Sequence, residues 1–397
     1  PLGVEVDPDA KAVDLALGHQ QQVEIIKALW RGSRVLILDE PTSMLTPQGV
    51  RDLAEVMKRL RDKGVAVIFI THKLREAYAT GDRISVLRLG RFVGGLEKPR
   101  LEAMTEVQVT DAVVRLMFGS GEAQAGEAET LLGARRRSSR AARSLPSGDP
   151  ILSLRNVSTN AEQGGCPLHD IAFDLRPGEV LGIAGVDGNG QKHLAEVLAG
   201  QRPIASGSIL MEGRDISAEG VSERRRHGVR YITDERLGEG TVATFSVATN
   251  LVLKEIGTPP LWQRGFSLWD RIHRHAREQI RQHDIRTPSE RTPVGKLSGG
   301  NIQKVLLARE LTDKATVVVF NKPTYGLDLQ NTRLARDRIA ESAKRGLATI
   351  VISTELDELL EIADRIGVMF QGRLNGIVPN EENAEHRIGM LMTGAAT

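Results

Sequence analysis

The sequence predicts an α/β protein in which one domain occurs twice. Apolar, strand-length runs alternate with amphipathic helical stretches over most of the 397 residues, which is the pattern of a parallel sheet with crossover helices. One motif string also recurs at a constant offset of 282 positions. Leu15-Ala16-Leu17-Gly18 answers Leu297-Ser298-Gly299-Gly300, Asp39-Glu40-Pro41-Thr42 answers Asn321-Lys322-Pro323-Thr324, and His72 answers Thr354. Asp82-Arg83-Ile84 and Gly90-Arg91 pair in the same register with Asp364-Arg365-Ile366 and Gly372-Arg373. Anchors that hold one offset without insertion or deletion mark a duplicated domain, not a solenoid unit.

Residues 1–118 read as the back half of that domain. An opening helix is followed by a strand at Val35–Leu38 that delivers Asp39 and Glu40, then a helix over about 47–62. A second strand, Val65–Ile70, runs into Thr71-His72, and Arg83–Leu87 is a third. Residues 119–149 change character: Gly, Ala, Ser and Glu dominate, then Arg135, Arg136, Arg137, Arg140 and Arg143 cluster. With almost no large apolar side chain, this stretch reads as a solvated linker in preference to an anionic docking tract. Residues 150–397 form a full copy, opening with strands at Ile151–Arg155 and Leu168–Leu175. Val180–Ala184 then enters Gly185-Val186-Asp187-Gly188-Asn189-Gly190, with a helix from about Lys192. Strand, glycine loop and helix together let backbone N–H groups converge on phosphate at a helix N-terminus. By the 282-residue offset, the front half of the first copy, about 130 residues with its phosphate loop, is expected ahead of Pro1.

At 40% hydrophobic and 26% charged residues, the composition suits a globular protein large enough for two cores. A net charge of +2 gives no argument for nucleic acid or an anionic membrane as the main partner. The single cysteine, Cys166, cannot make an intramolecular disulfide. No apolar run approaches the 18 or so residues of a membrane span and no signal peptide is visible, so a cytoplasmic location is expected, with membrane association only through partners.

The motif string resembles the ABC-family ATPases. Leu297-Ser298-Gly299-Gly300-Asn301, followed by Gln303-Lys304-Val305 and a helical run to Leu311, is similar to their signature motif. Val35–Leu38 with Asp39-Glu40-Pro41-Thr42 is similar to their Walker B strand, and His72 to their switch histidine. Val23-Glu24-Ile25 with Lys27-Ala28-Leu29, Leu45-Thr46-Pro47-Gln48, Gly185–Gln191 and Asp284–Ser289 resemble the two-cassette ATPases of simple-sugar and nucleoside importers. That resemblance implies two P-loop cassettes, the first incomplete here, and ATP with Mg²⁺ as ligands. It also implies two integral-membrane permease subunits, an extracytoplasmic solute-binding protein reached through them, and a place on the cytoplasmic face of the membrane. The second cassette would be supplied within the same full-length chain.

In that family each site takes phosphate loop, Walker B and switch histidine from one cassette, and signature and D-loop from the other. The first copy keeps Asp39, expected to hold Mg²⁺, Glu40, expected to activate water, and His72, expected at the γ-phosphate. Its signature has become Leu15-Ala16-Leu17-Gly18-His19 and its D-loop Ser43–Thr46 lacks an aspartate. The second copy keeps Ser298, Gly299, Gly300, Asn301 and the D-loop Asp328, all expected at ATP. Its own loop, Gly185, Asp187, Gly188, Asn189 and Gly190, is expected to cradle phosphate, but Gln191 and Lys192 stand where lysine and a hydroxyl belong. Asn321, Lys322 and Thr354 replace the aspartate, glutamate and histidine, and Asp234 falls near the Q-loop glutamine. The retained parts thus belong to one composite site and the lost parts to the other. Soluble tandem ABC ATPases of translation or repair are the main alternative, but they would keep both signatures and a longer charged helical linker; an inert fragment is the other.

Overall fold

The computed structural model describes residues 23–25, 27–28, 33–39, 41–42, 47–71, 74–88, 90–118, 146–161, 165–327 and 329–392. Leu15–His19, Glu40, Ser43–Thr46, His72, Asp328 and linker residues 119–145 lie outside the described residues. The chain divides into two units, residues 1–143 with 381–389 and residues 144–380 with 390–397.

In the first unit, β1 (Val35–Asp39), α1 (Pro47–Asp62), β2 (Ala66–Ile70), α2 (Leu74–Thr80), β3 (Ile84–Arg88) and β4 (Arg91–Leu96) follow one another, then α3 (Lys98–Glu102) and α4 (Glu106–Phe118). Strands β1 and β2 pair in parallel, and β3 and β4 form an antiparallel hairpin. The expected parallel sheet is therefore present only in part. The hairpin arises because Gly90, at φ +72°, makes the tight turn back onto β3. Leu36 and Leu38 pack with Leu53, Val56, Met57 and Leu60 of α1. The opposite face of the same strands carries Val35, Ile37, Ile68 and Ile70, which are 46–62% exposed.

The second unit contains β5 (Leu152–Ser158), β6 (Ile171–Leu175), β7 (Val180–Ala184), α5 (Gln191–Ala199), β8 (Ser206–Met211), β9 (Arg214–Asp215), α6 (Val221–Arg226) and β10 (Val229–Ile232). Next come α7 (Val247–Leu251), the hairpin β11 (Trp262–Gln263) and β12 (Phe266–Ser267), α8 (Trp269–Gln282) and α9 (Gly299–Glu310). The chain continues through β13 (Val317–Asn321), α10 (Leu329–Lys344), β14 (Ala348–Ile352), α11 (Leu356–Ile362), β15 (Arg365–Phe370) and β16 (Arg373–Pro379), and ends its described part in α12 (Ala384–Met392), whose residues up to 389 group with the first unit. The main sheet has the order β10-β13-β14-β7-β15-β16, parallel except for β16, and a second, antiparallel sheet runs β6-β5-β8-β9. Strands β7, β13 and β14 are buried at every position, as apolar runs in a sheet covered on both faces should be. A core joins both sheets to α5, and a smaller one unites α7, α8 and α9.

Strand β6 begins at Ile171, three residues later than the sequence reading from Leu168. Asp170 sits at φ +54°, a left-handed bend that extended pairing cannot accommodate.

Offset by 282 residues, β1, α1, β2 and α2 coincide end for end with β13, α10, β14 and α11, and β3 and β4 match β15 and β16 to within one residue. Val35 pairs with Ala66 as Val317 pairs with Ala348, and the hairpin bulges fall at Val86/Leu87 and Val368/Met369. Among the described residues no helix is long and apolar enough to cross a membrane.

Candidate phosphate-loop site

Strand β7 ends at Ala184 and the chain turns through Gly185–Gly190 into α5. Gly188 and Gly190 have φ of +86° and +96°, values an L side chain resists. Gly185 is required by crowding: a Cβ there would stand 2.4 Å from Gln191 Nε2 and 2.7 Å from the Met369 carbonyl. A Cβ on Gly188 would meet nothing within 4 Å, so the mouth of the loop is open. The amides of Gly188 through Lys192 make no backbone hydrogen bond among the described residues. Unpaired amides at the N-terminus of a nine-residue helix suit an anion. The Asn189 amide group steadies the loop, donating to the Val186 carbonyl at 2.9 Å and accepting from the Gln371 amide at 2.7 Å. Gln191 is buried and turns back into the loop, donating to the Val186 carbonyl at 2.9 Å.

The charged groups around the loop neutralise one another. Lys322 Nζ lies 2.7 Å from Asp187 Oδ1 and 4.0 Å from Asp234 Oδ2. The residue that bears it is at φ +43°, an unfavourable conformation outside glycine that is held here by the turn after β13. Lys192 pairs with Glu239 at 2.9 Å, and this bond raises the lysine pKa. Burial alone would raise the Glu239 pKa, but hydrogen bonds from Lys192 and Thr233 outweigh it and hold the carboxyl below its ordinary value. Asn321, at the end of β13, donates to Asp234 Oδ1 at 2.8 Å, while its own Oδ1 is buried without a partner.

The amides and ammonium groups of this constellation suit an anion better than a divalent metal. The carboxylates of Asp187 and Glu239 are already engaged by Lys322 and Lys192. Lys192 and Asn321 stand at the positions expected to ligate magnesium and Lys322 at that expected of the general base, and an ammonium group has no lone pair to give a hard cation. Among the described residues there is no cluster of His, Cys, Asp and Glu able to hold a metal.

The sequence-predicted residues Ser298–Asn301 lie at the N-terminus of α9. Ser298 is the N-cap of α9, and Ser298 and Gly299 are exposed while nearly all of the helix behind them is buried. Ser298 Oγ accepts from Asn301 Nδ2 at 2.9 Å, and Asn301 Oδ1 accepts from the Arg286 amide at 2.8 Å. Gly300 has no room for a side chain, since a Cβ would lie 2.4 Å from Asn331 Nδ2. In the first unit, Asp39 ends β1 as an exposed residue.

Two arrangements escaped sequence reasoning. Glu358 is fully buried, accepts from Ser353 Oγ at 2.6 Å, and burial raises its pKa. Its counterpart Glu76 accepts from Thr42 Oγ1 at 2.6 Å and Thr71 Oγ1 at 3.5 Å. In each copy a carboxyl on the following helix thus reaches the end of the strand that leads to the switch position. Arg236 is the other: its Nε donates to Gln303 Oε1 at 2.9 Å and its NH2 to the Tyr325 carbonyl, tying the Asp234–Glu239 segment to α9 and to the turn after β13. The 282-residue repetition of Thr42/Thr324 and Glu76/Glu358 was a signal available for the first. Nothing local in sequence signals the second.

The family model for ABC transporters matches residues 168–325. The nucleoside import ATP-binding protein NupA of Lactococcus lactis is 34% identical over 393 residues, covering 99% of this chain and 73% of the relative. The chain is an ABC transporter ATP-binding protein of the sugar and nucleoside import type. The ribose import ATP-binding protein RbsA 1 of Rubrobacter xylanophilus is 37% identical over 398 residues, covering all of this chain and 74% of that one. The nucleotide-free ATP-binding cassette of an ABC transporter shares the fold, with a TM-score of 0.50 and 20% identity over 60% of this chain and 94% of the cassette. As a member of this ATPase family, the protein is an ATP-binding subunit.

Proposed function

We propose that this chain powers import of a simple sugar or nucleoside by hydrolysing ATP at one composite site, the second composite site having lost its chemistry. The observation that carries this is the charge at the two Walker B strand ends. Strand β1 ends in an exposed aspartate, whereas β13 ends in Asn321 and an ammonium already bound to Asp187 and near Asp234. The matching elements and registers of the two units support reading the first as the back half of a second cassette.

The working site would combine groups from both cassettes, arranged head to tail. Asp39 would hold Mg²⁺, which supplies positive charge against the phosphates. Glu40 would orient the attacking water and take its proton, and His72 would donate a hydrogen bond to the γ-phosphate. Ser298 and the amides of Gly299 and Gly300 would close over that phosphate, with Asp328 beside them. The phosphate loop of this site is not among residues 1–397, and the bare apolar face of β1 and β2 is where it would pack. The counterparts of that face, Val317, Val319, Ile350 and Ile352, are at most 1% exposed and share a core with β7 and α5. Two permease subunits would hold the protein at the cytoplasmic face of the membrane, and with a solute-binding protein they would choose the cargo.

The test is ATP turnover. Residues 1–397 alone should hydrolyse ATP negligibly, and a chain extended ahead of Pro1 by a strand–phosphate-loop–helix half, with permeases present, should regain activity. Robust turnover by residues 1–397 alone would refute the one-site reading.

A further inference from the structure

We infer that the phosphate loop of the second unit takes a nucleoside triphosphate without a divalent ion, the Lys322 ammonium standing in for the metal. This rests on the reading of that loop as a nucleotide site. Four observations converge on it. Lys322 replaces a carboxylate at the end of β13, and its Nζ is held 2.7 Å from Asp187, a residue of the loop itself. Its side chain is only 14% exposed, so the cation is presented to the loop and not to bulk water. Lys192 puts a second ammonium where a metal-ligating hydroxyl would stand, 2.9 Å from Glu239. Asn321 removes the remaining ionic metal ligand.

The charge balance explains the consequence. Lys322 and Lys192 face Asp187, Asp234 and Glu239, two cations against three carboxylates, so each ammonium is already paired in the empty loop. An arriving triphosphate brings acceptor oxygens that compete with Asp187 for Lys322. Asp187 is 30% exposed and can turn to solvent as phosphate takes its place. A charge-assisted bond from a partly dehydrated ammonium is stronger than a neutral one. A divalent ion escorting the nucleotide would instead be placed beside one or two ammonium groups that already engage the nearest carboxylates, Asp187 and Glu239, and like charges at short range repel strongly in a half-buried site. The loop therefore selects the metal-free triphosphate, and the second site can stay loaded while metal-dependent hydrolysis proceeds elsewhere.

The experiment photolabels residues 1–397 with azido-ATP and maps the labelled peptides, so that labelling of the second unit is read by itself. Titrations run in EDTA and in excess Mg²⁺, for the native chain, Lys322→Met and Lys322→Arg. Half-saturation in EDTA should equal that in Mg²⁺ or lie below it. Lys322→Met should raise it roughly ten- to a hundred-fold in EDTA, the loss expected for one charge-assisted bond, and Lys322→Arg should retain most of the affinity. Labelling that requires Mg²⁺ would overturn the metal-free site while leaving the nucleotide reading intact. No saturable labelling of the second unit in either buffer would overturn both. Metal-free labelling untouched by Lys322→Met would overturn the role given to that lysine. Should Lys322→Met fail to fold, the comparison of EDTA with Mg²⁺ on the native chain still decides the matter.

Discussion

Ile68 and Ile350 occupy the same place in the two copies, one on β2 and one on β14, yet they are 50% and 0% exposed. Truncating each to alanine therefore measures how complete each unit is. Ile350 lies in the core that joins the two sheets of the second unit to α5. Ile350→Ala removes transfer energy and leaves a cavity in a packed interior, a loss of about 2–5 kcal/mol. Ile68 leaves no cavity because one side of it faces water. Full burial of such a side chain is worth roughly 1.5–3 kcal/mol, so at half exposure Ile68→Ala should cost about 1 kcal/mol. Hydrogen exchange of peptides covering β2 and β14 reports the opening free energy of each strand separately, which bulk unfolding of a two-unit chain would blur. If a strand–phosphate-loop–helix half is joined ahead of Pro1 and packs on β2, the cost at Ile68 should rise towards that at Ile350. Equal costs in the chain of residues 1–397 would refute the claim that the β1–β2 face is bare, and an unchanged cost after extension would refute its assignment as the seat of a phosphate loop.

Three further outcomes are expected. In the completed protein, Glu40→Gln should abolish ATP turnover while leaving nucleotide binding, whereas Lys322→Gln should barely change turnover; equal losses would contradict the asymmetry of the sites. Ser298→Arg should eliminate substrate uptake in cells at matched protein levels, because a bulky cation replaces the hydroxyl at the exposed N-cap of α9, and Ala16→Arg should reduce uptake only partly. The reverse order would invert the assignment of the working interface. Glu310 is fully buried; burial would raise its pKa, but Lys254, Arg309 and Arg225 at 2.7–3.1 Å overcome this and bring it from 4.5 to about 2. Its stabilisation is present above the ordinary pKa and is lost as pH falls from about 4.5 towards 2, on the order of 3 kcal/mol. Glu310→Gln should remove that acid dependence, read from urea midpoints at pH 7 and pH 3.5, and a slope equal to that of the native chain would refute it.

The elements were legible in sequence wherever local periodicity and a repeat agreed. The helix over 47–62 and the strand Val180–Ala184 match the structure end for end, because each is bounded by its own turn chemistry and filled by one apolar pattern. Leu168 was misplaced because its buried, apolar character resembles a strand residue, while the bend at Asp170 depends on backbone geometry that the residue type only permits. The glycine loop was recognisable from spacing. What spacing could not show is where Lys322 points. That lysine reads equally as a surface residue, and only the fold brings it to Asp187, 135 positions earlier in the chain. Arg236 was hidden for the same reason, since its partners Gln303 and Tyr325 are 67 and 89 positions away.

The half-buried Glu76 and the buried Glu358 separate two kinds of constraint on the copies. Each accepts a short bond from a hydroxyl of its own copy, Thr42 for Glu76 and Ser353 for Glu358. Losing a hydroxyl would weaken the hydrogen bonding of a carboxyl held away from water, most of all at the fully buried Glu358, a penalty in stability whatever the neighbouring site does. Asp39, Glu40 and His72 follow another rule: their counterparts Asn321, Lys322 and Thr354 are different residue types while β13 and β14 keep the bounds and register of β1 and β2. Substitution at these positions is tolerated by the fold, so what stands there reports on chemistry. Ser298–Asn301 pass the same test from the other side. Ser298 and Gly299 are exposed at the tip of a helix whose body is buried, so packing does not require them. Their presence in the unit that carries Asn321 and Lys322 in place of acidic residues is what the proposed composite site requires.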